Sequence, residues 1–241
     1  MEKLKLILIA FIILISSPAW CQSESSESPA DDEVRFQLLS EGRRLLDAGK
    51  PEEAIIKCFD KVIIDFESKY EGRKERVYCA RTPPEKLLYL LMAVKEKREA
   101  TAISATWADA YFMKGYALIE LGRISEAKQF IEQALVFSPN NSQYLSELGY
   151  VYQTEKNWSK SLELFKAAEE SAIAYSPEES KKDELGRARR GLGYVFVEMG
   201  QLNKAKEKYL QCLEADPADN KAKAELEYIR KLQSKTNSSN N

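Results

Sequence analysis

ADAYFMKGYALIELGRISEAKQFIEQALVFSPNN, residues 108–141, is the stretch from which the fold can be read. In it Gly115 is followed by Ala127, a small residue, then by Ile131, an apolar one, and Pro139 closes the segment. The same spacing recurs as Gly149, Ser161 and Phe165, as Gly193, Ala205 and Tyr209, and as Gly42, Ala54 and Cys58. Pro217 stands as far beyond Gly193 as Pro139 stands beyond Gly115. Fixed offsets of this kind predict a repeated helix-turn-helix unit. The glycine lies on the first helix and the small residue on the second, so the two backbones can approach closely. Proline stops the second helix, because it lacks an N–H and restricts the residue before it.

These residues resemble the tetratricopeptide repeat family, whose unit is about 34 residues long with the pattern W-x2-L-G-x2-Y, A-x3-F and a closing proline. Unit 108–141 carries Tyr111 in the tryptophan slot, then Gly115, Leu118, Ala127, Ile131 and Pro139, with Lys114 in place of the leucine. Unit 142–175 carries Leu145, Leu148, Gly149, Tyr152 and Phe165, with Ser161 for the alanine and Ile173 for the proline. Unit 186–219 carries Leu192, Gly193, Phe196, Ala205, Tyr209 and Pro217, with Arg189 in the tryptophan slot. Unit 35–68 is divergent: Leu38, Gly42, Leu45, Gly49 and Ala54 fit, whereas Glu41 and Phe66 do not. The resemblance implies an all-α, right-handed solenoid over 34–233, closed by a capping helix at 220–233 and followed by a disordered polar tail at 234–241.

Between the repeats the pattern breaks twice. Residues 69–83 hold five basic residues and end in Thr82-Pro83-Pro84. They read as a solvated loop or a binding patch. The good helix formers from Glu85 onward predict a repeat-like helix over 85–105, with Leu87, Leu88, Leu91, Ala93 and Val94 as its apolar stripe. Gly193 follows Gly149 by ten residues more than the repeat allows, and the extra length falls in 171–185. There Ser176-Pro177-Glu178-Glu179 predicts a capping box opening a helix of over about 20 residues. Asp219 or Asn220 is expected to cap the last helix, whose wet side would hold Lys221, Lys223, Glu225, Glu227, Arg230 and Lys231 while Ala222, Leu226 and Ile229 cover the stack.

The first 21 residues have a different composition. Lys3 and Lys5 precede ten apolar residues, Leu6 to Ile15, and then Ser16-Ser17-Pro18-Ala19. This is the anatomy of a secretory signal peptide. A ten-residue helix rises about 15 Å, too little for a hydrocarbon core of about 30 Å. Cleavage after Ala19 or Cys21, retention as an anchor, and acylation of Cys21 are the alternatives. Residues 22–33, rich in Ser, Glu and Asp, predict a flexible acidic linker. Export to a periplasm or cell envelope, or secretion, would make thiols oxidisable. Cys58 and Cys79 then form a disulfide closing a loop of about 20 residues, or Cys58 and Cys212 are simply buried small hydrophobes.

The chain has 241 residues, of which 44% are hydrophobic and 31% charged, the balance of a soluble globular chain of one or two domains. A net charge of −2, with both signs interleaved, gives no reason to expect nucleic acid as a partner. There is no histidine, which removes Ser-His-Asp and Cys-His catalysis and most zinc sites. No glycine-rich phosphate loop is present. The expectation is a non-enzyme without cofactor or metal.

What remains is a surface. In tetratricopeptide stacks the first helix of each unit lines a concave groove. The resemblance places the residue after each glycine in that groove, here Tyr116, Tyr150 and Tyr194. Phe112, Ser146 and Arg190 stand one turn earlier, Ile119, Gln153 and Val197 one turn later, and Asp109 and Arg187 at the edge. Tyrosine offers a large apolar face and a hydroxyl at low entropic cost, but it equally packs between helices. No asparagine accompanies Arg187 and Arg190 beside the glycines, so a clamp for a peptide's terminal carboxylate is not expected. The implied function is a non-catalytic adaptor that binds a partner peptide or helix. Alternatives are a membrane-tethered assembly factor of the pilus or outer-membrane type, or a scaffold subunit of an envelope polysaccharide export machine.

Overall fold

A computed structural model describes residues 29–239. The expected signal peptide at 1–21, Cys21 and most of the expected linker lie outside the described residues. The described chain is a stack of antiparallel helix pairs: α1 (Pro29–Asp47) with α2 (Pro51–Ala54), a π-helical turn (Ile55–Phe59) and α3 (Asp60–Tyr70); α5 (Thr106–Glu120) with α6 (Ile124–Phe137); α7 (Ser142–Thr154) with α8 (Trp158–Tyr175); and α9 (Glu178–Glu198) with α10 (Leu202–Ala215). Helix α11 (Asn220–Ser239) closes the stack, burying Ala222 and Ile229 against the last pair.

The glycines act as the spacing predicts. A Cβ on Gly115 would meet Ile131 at 2.6 Å, one on Gly193 would meet Tyr209 at 2.6 Å, and one on Gly149 would touch the Phe165 ring at 3.2 Å. Ala127 and Ala205 are fully buried at these crossings. Ser161, which stands for alanine, is buried as well and donates its hydroxyl to the Gly149 carbonyl at 2.9 Å. In the first unit Phe59, not Cys58, lies on the glycine, 2.3 Å from a Cβ built on Gly42. The π-helical turn at Ile55–Phe59 adds one residue to the helix and advances the register by one position.

Each first helix also ends alike, seven residues past its glycine. Gly49, Gly122 and Gly200 adopt φ of +69°, +73° and +72°, and Lys156 takes the same left-handed state at +57°. Paired backbone bonds close each turn, as in Gly122 N–H to Ile119 O at 2.9 Å and Arg123 N–H to Leu118 O at 2.8 Å, or Lys156 N–H to Gln153 O at 3.0 Å and Asn157 N–H to Tyr152 O at 2.9 Å. This is the Schellman closure of a helix C-terminus.

The stretch 69–105 corrects the sequence reading. It is not a loop followed by a long helix. It forms β1 (Arg76–Ala80), α4 (Pro83–Lys95) and β2 (Ala100–Ser104), with the two strands parallel and Cys79 opposite Ile103. Val77, Cys79 and Ile103 face the core formed by α3, α5 and α6, while Tyr78 and Ala102 pack under α4 against Tyr89 and Ala93. Both strand faces are therefore covered, which removes the polar-apolar alternation that would announce a strand. Thr82 caps α4, accepting the Glu85 N–H at 3.3 Å.

The second irregularity lies against the first. The extra residues lengthen both α8 and α9, to 18 and 21 residues. The expected capping box is absent: the Ser176 hydroxyl donates to Glu184 instead, and Ser180 joins it at 2.8 Å. Arg81 donates to that Glu184 at 2.7 Å and to Glu85 at 3.1 Å. Glu85 and Glu184 are almost wholly buried. Burial opposes the charge on Arg81, but the two carboxylates outweigh it and hold its proton more firmly than usual. The Ser138 hydroxyl, on the loop after α6, bonds the Cys79 carbonyl.

Further corrections concern the ends and the cysteines. Helix α1 starts at Pro29, inside the expected linker, and α11 runs to Ser239, through most of the expected disordered tail. Pro29 suits a first turn and Asp31 and Asp32 favour its positive end, so local preference carries the helix outward. Cys58, Cys79 and Cys212 are buried thiols, and no disulfide occurs among the described residues. Cys58 packs at the Gly42 crossing while Cys79 sits mid-strand on β1, both as reduced thiols within one apolar core.

Asp219 caps α11. It accepts the Ala222 N–H at 3.0 Å and an ion pair from Arg190. Burial works against its charge, yet the Ala222 N–H and the guanidinium outweigh this and hold its carboxyl below the usual range.

Two predictions follow from the helix ends. Lys156→Gly relieves a left-handed side chain and raises stability by about 1 kcal/mol, read as a higher midpoint in denaturant melts. Asp219→Ala costs about 1 kcal/mol near neutral pH. Because the folded carboxyl titrates low, its contribution is present above the unfolded value of about 3.9 and fades as pH falls through the folded one. Wild-type and Asp219→Ala melting curves therefore converge on acidification, and a gap that persists unchanged at about pH 2 would contradict the assignment.

Candidate binding groove

The first helices of three consecutive pairs, with α11 beyond them, surround one open cavity of about 680 Å³. Helix α5 contributes Tyr116, Ile119 and Glu120, and α7 contributes Ser146, Glu147, Tyr150 and Gln153. Helix α9 adds Arg187, Arg190 and Tyr194, and α11 adds Lys221, Ala224 and Glu225. The glycines set this arrangement. Each turns toward its own second helix, so the residue after it, about 100° around the helix, turns to the concave side. Phe165 and Tyr209 form part of the floor. Phe165 reaches it because Gly191 leaves room: a Cβ there would lie 2.3 Å from the ring.

Eight of the residues expected in the groove line it: Tyr116, Ile119, Ser146, Tyr150, Gln153, Arg187, Arg190 and Tyr194. Tyr150 and Tyr194 keep 40% and 38% of their surface exposed, whereas Tyr111, Tyr144 and Tyr209 are buried. Three expectations are corrected. The carboxylate of Asp109 is bonded by the Tyr144 hydroxyl, between α5 and α7 and outside the cavity lining. Phe112 is buried, stacked on Tyr144 at 4.7 Å. Val197 packs into the core of the last pair. Asp109 and Phe112 lie a turn or more from Tyr116, where the next pair closes over α5, and Val197 is turned into its own pair.

The charged groups are largely committed. Arg187 pairs with Glu147, a nearly buried carboxylate on the neighbouring helix, and Arg190 pairs with Asp219. Burial pushes the Glu147 carboxyl up and Arg187 draws it back in part, leaving it raised. The Tyr116 phenol is raised by burial first, then by Glu120 and Glu147. Lys221, at the rim, pairs with no carboxylate among the described residues. The Ser146 hydroxyl is 1% exposed and has no hydrogen-bond partner among the described residues. The groove thus offers aromatic faces and two arginines whose charge is already balanced. No cluster of three or more metal-ligating side chains occurs among the described residues.

Sequence reasoning missed Glu120 and Glu147, which follow or precede the tyrosines at positions not counted as facing inward. It also assigned Lys221 and Glu225 to the wet side of the cap. Both are half a groove wall, because α11 lies across the mouth beyond α9.

Residues 108–141 and 191–219 match the model of the tetratricopeptide repeat. RNA polymerase II-associated protein 3 of Homo sapiens is 25% identical over 211 residues, which cover 82% of this chain and 30% of that protein. The Mus musculus protein of the same name is 26% identical over 207 residues, 81% of this chain and 30% of its own. The chain thus spans under a third of the length of these relatives. Among solved structures, Pseudomonas aeruginosa PilF superposes with a TM-score of 0.57 at 15% identity, over 85% of this chain and 71% of that one. MamA from Desulfovibrio magneticus RS-1 superposes with a TM-score of 0.52 at 19% identity, over 85% and 89% of the two chains. At these identities the superpositions speak for the fold alone. Repeat spacing, packing glycines and stacked pairs agree with the two matched repeats: the chain carries tetratricopeptide repeats at 108–141 and 191–219, stacked with the other helix pairs into a solenoid.

Proposed function

We propose that the chain is a non-catalytic adaptor that holds a peptide or helix of a partner protein in the groove between α5 and α11. The observation that carries this reading is the trio Tyr116, Tyr150 and Tyr194 on successive helices around one cavity, two of them still well exposed. Tyrosines left open in a groove give up little conformational entropy on binding and bury a large area. The groove's own ion pairs leave little net charge to attract a small ion, which favours an extended, mainly apolar contact. The N-terminal sequence supports the further proposal that this binding takes place after export, in a periplasm or cell envelope.

The test is selection of peptides from a displayed library on the purified chain, followed by calorimetric titration of those selected. Tyr150→Ala with Tyr194→Ala is expected to weaken them at least about tenfold, the size of a binding hot spot. Stability should change by less than about 0.5 kcal/mol per site, since both rings are exposed. Peptides that bind wild type and variant alike would place recognition elsewhere. Export is checked separately, by sequencing the N-terminus of the chain isolated from its own cells. A start after Ala19 or Cys21 is expected, and an intact Met1 in the bulk of the protein would overturn processing.

A further inference from the structure

The outer face of α4 is apolar and uncovered. Leu87, Leu91 and Val94 lie one turn apart on the side opposite Tyr89 and Ala93, which pack on the sheet, and they are 60%, 57% and 71% exposed. Pro83 and Pro84 continue the same face at its N-terminal end and are exposed too. By helical position Lys86 flanks this stripe on one side and Lys95 on the other. Lys97 follows the helix end, in a left-handed turn. All three lysines are exposed, and none pairs with a carboxylate among the described residues. The nearby acidic groups are Glu96, which Arg98 approaches at 3.9 Å, and Glu99. The helix is held rigidly under this face by the Arg81, Glu85 and Glu184 bonds.

We infer that α4 is a membrane-surface contact, its apolar stripe entering the boundary of an anionic lipid layer while Lys86, Lys95 and Lys97 meet the headgroups. An apolar stripe edged by lysines is the chemistry that such an interface selects. A second copy of the chain fits less well. The stripe is about 10 Å long and only one row of side chains wide, too small a patch to supply the roughly 800 Å² per partner that a stable dimer buries. A two-fold contact would also set the lysine edges of the two copies against each other. The place where the described chain begins agrees with a lipid. Asp31 and Val34 of α1 line one surface hollow with Ser68 and Lys69 of α3, and the β1–α4–β2 unit departs just after α3. The described chain therefore begins beside the end of α3, from which the strand leading to α4 departs. An apolar run kept at Leu6 to Ile15, or an acyl chain on Cys21, would start from there and bring α4 to the same membrane, giving the two signals that stable peripheral attachment needs.

The experiment is vesicle co-sedimentation of the chain in the N-terminal form isolated from its cells. Vesicles are phosphatidylcholine alone or with about 30 mol % phosphatidylglycerol. Wild type is compared with Leu87→Gln, Leu91→Gln, Val94→Thr combined, and with Lys86→Glu, Lys95→Glu combined. All these positions are exposed, so melting temperature should hardly move. The expected result is preference of wild type for the anionic vesicles, at least a tenfold lower partition for the triple variant, and loss of the anionic preference in the charge variant. Raising salt from about 0.1 M to about 1 M shortens the screening length from about 10 Å to about 3 Å and should weaken wild type several-fold. Equal partition of wild type and both variants, or no binding of wild type to either vesicle, overturns the inference. So does conversion of a wild-type dimer to a monomer by the triple variant, which would make the stripe a self-association surface. The groove tyrosines lie on a different face, so either proposal can fail without the other.

Discussion

A side chain of the second helix, lying where a Cβ of the first would be, is the contact on which each pair depends. Ile131 on Gly115, Phe165 on Gly149, Tyr209 on Gly193 and Phe59 on Gly42 are four versions of one interaction. The missing Cβ draws the helices together, and the closeness in turn aims the following residue at the concave side. Packing and function are thus coupled by one atom: a methyl group at Gly193 would disturb the ring of Tyr209 and, through the backbone, the direction of Tyr194. The fully buried Ala127 and Ala205, and the Ser161 hydroxyl bonded to the Gly149 carbonyl, keep the second helix at the same depth.

The two departures from the repeat are not independent. The β1–α4–β2 unit inserted before the second pair meets the lengthened start of α9, and Arg81 bonds Glu85 and Glu184 across the junction. A buried pair of carboxylates around one guanidinium is costly to desolvate and gains little over an apolar contact, but it tolerates only one geometry. Ser176 and Ser180 satisfy the remaining oxygens of Glu184. The insertion is thereby fixed along the edge of the stack, where the first helices of later pairs begin, and it leaves the groove open.

Much of this was legible in the chain. The glycine, small residue and apolar residue at constant offsets announced the pairs, and the residue after each glycine marked most of the groove. What stayed hidden has physical causes. The π-helical turn at Ile55–Phe59 moved the contact from Cys58 to Phe59, and nothing in that composition signals an extra residue. The strands are five residues long and covered on both faces, so neither alternation nor length distinguishes them from a loop. Lys156 occupies a turn that glycine fills in the other three units, so a search for glycine alone would miss it. Asp109 and Phe112 were expected in the groove because they share a helix with Tyr116; the stacking of Tyr144 over them is a property of the next pair.

Phe165 has a consequence for how the molecule comes apart. Its ring lies against Gly149 within its own pair, where a Cβ would be a tight 3.2 Å away, and against Gly191 in the next, where one would clash at 2.3 Å. Repeat arrays usually unzip, because each unit is tied to its neighbour by a separable interface. Here one ring belongs to two interfaces, so α7 to α10 cannot part in the middle without exposing it on both sides. The later units therefore open as a single cooperative block, and hydrogen exchange along α7, α8 and α9 should share one opening free energy rather than three.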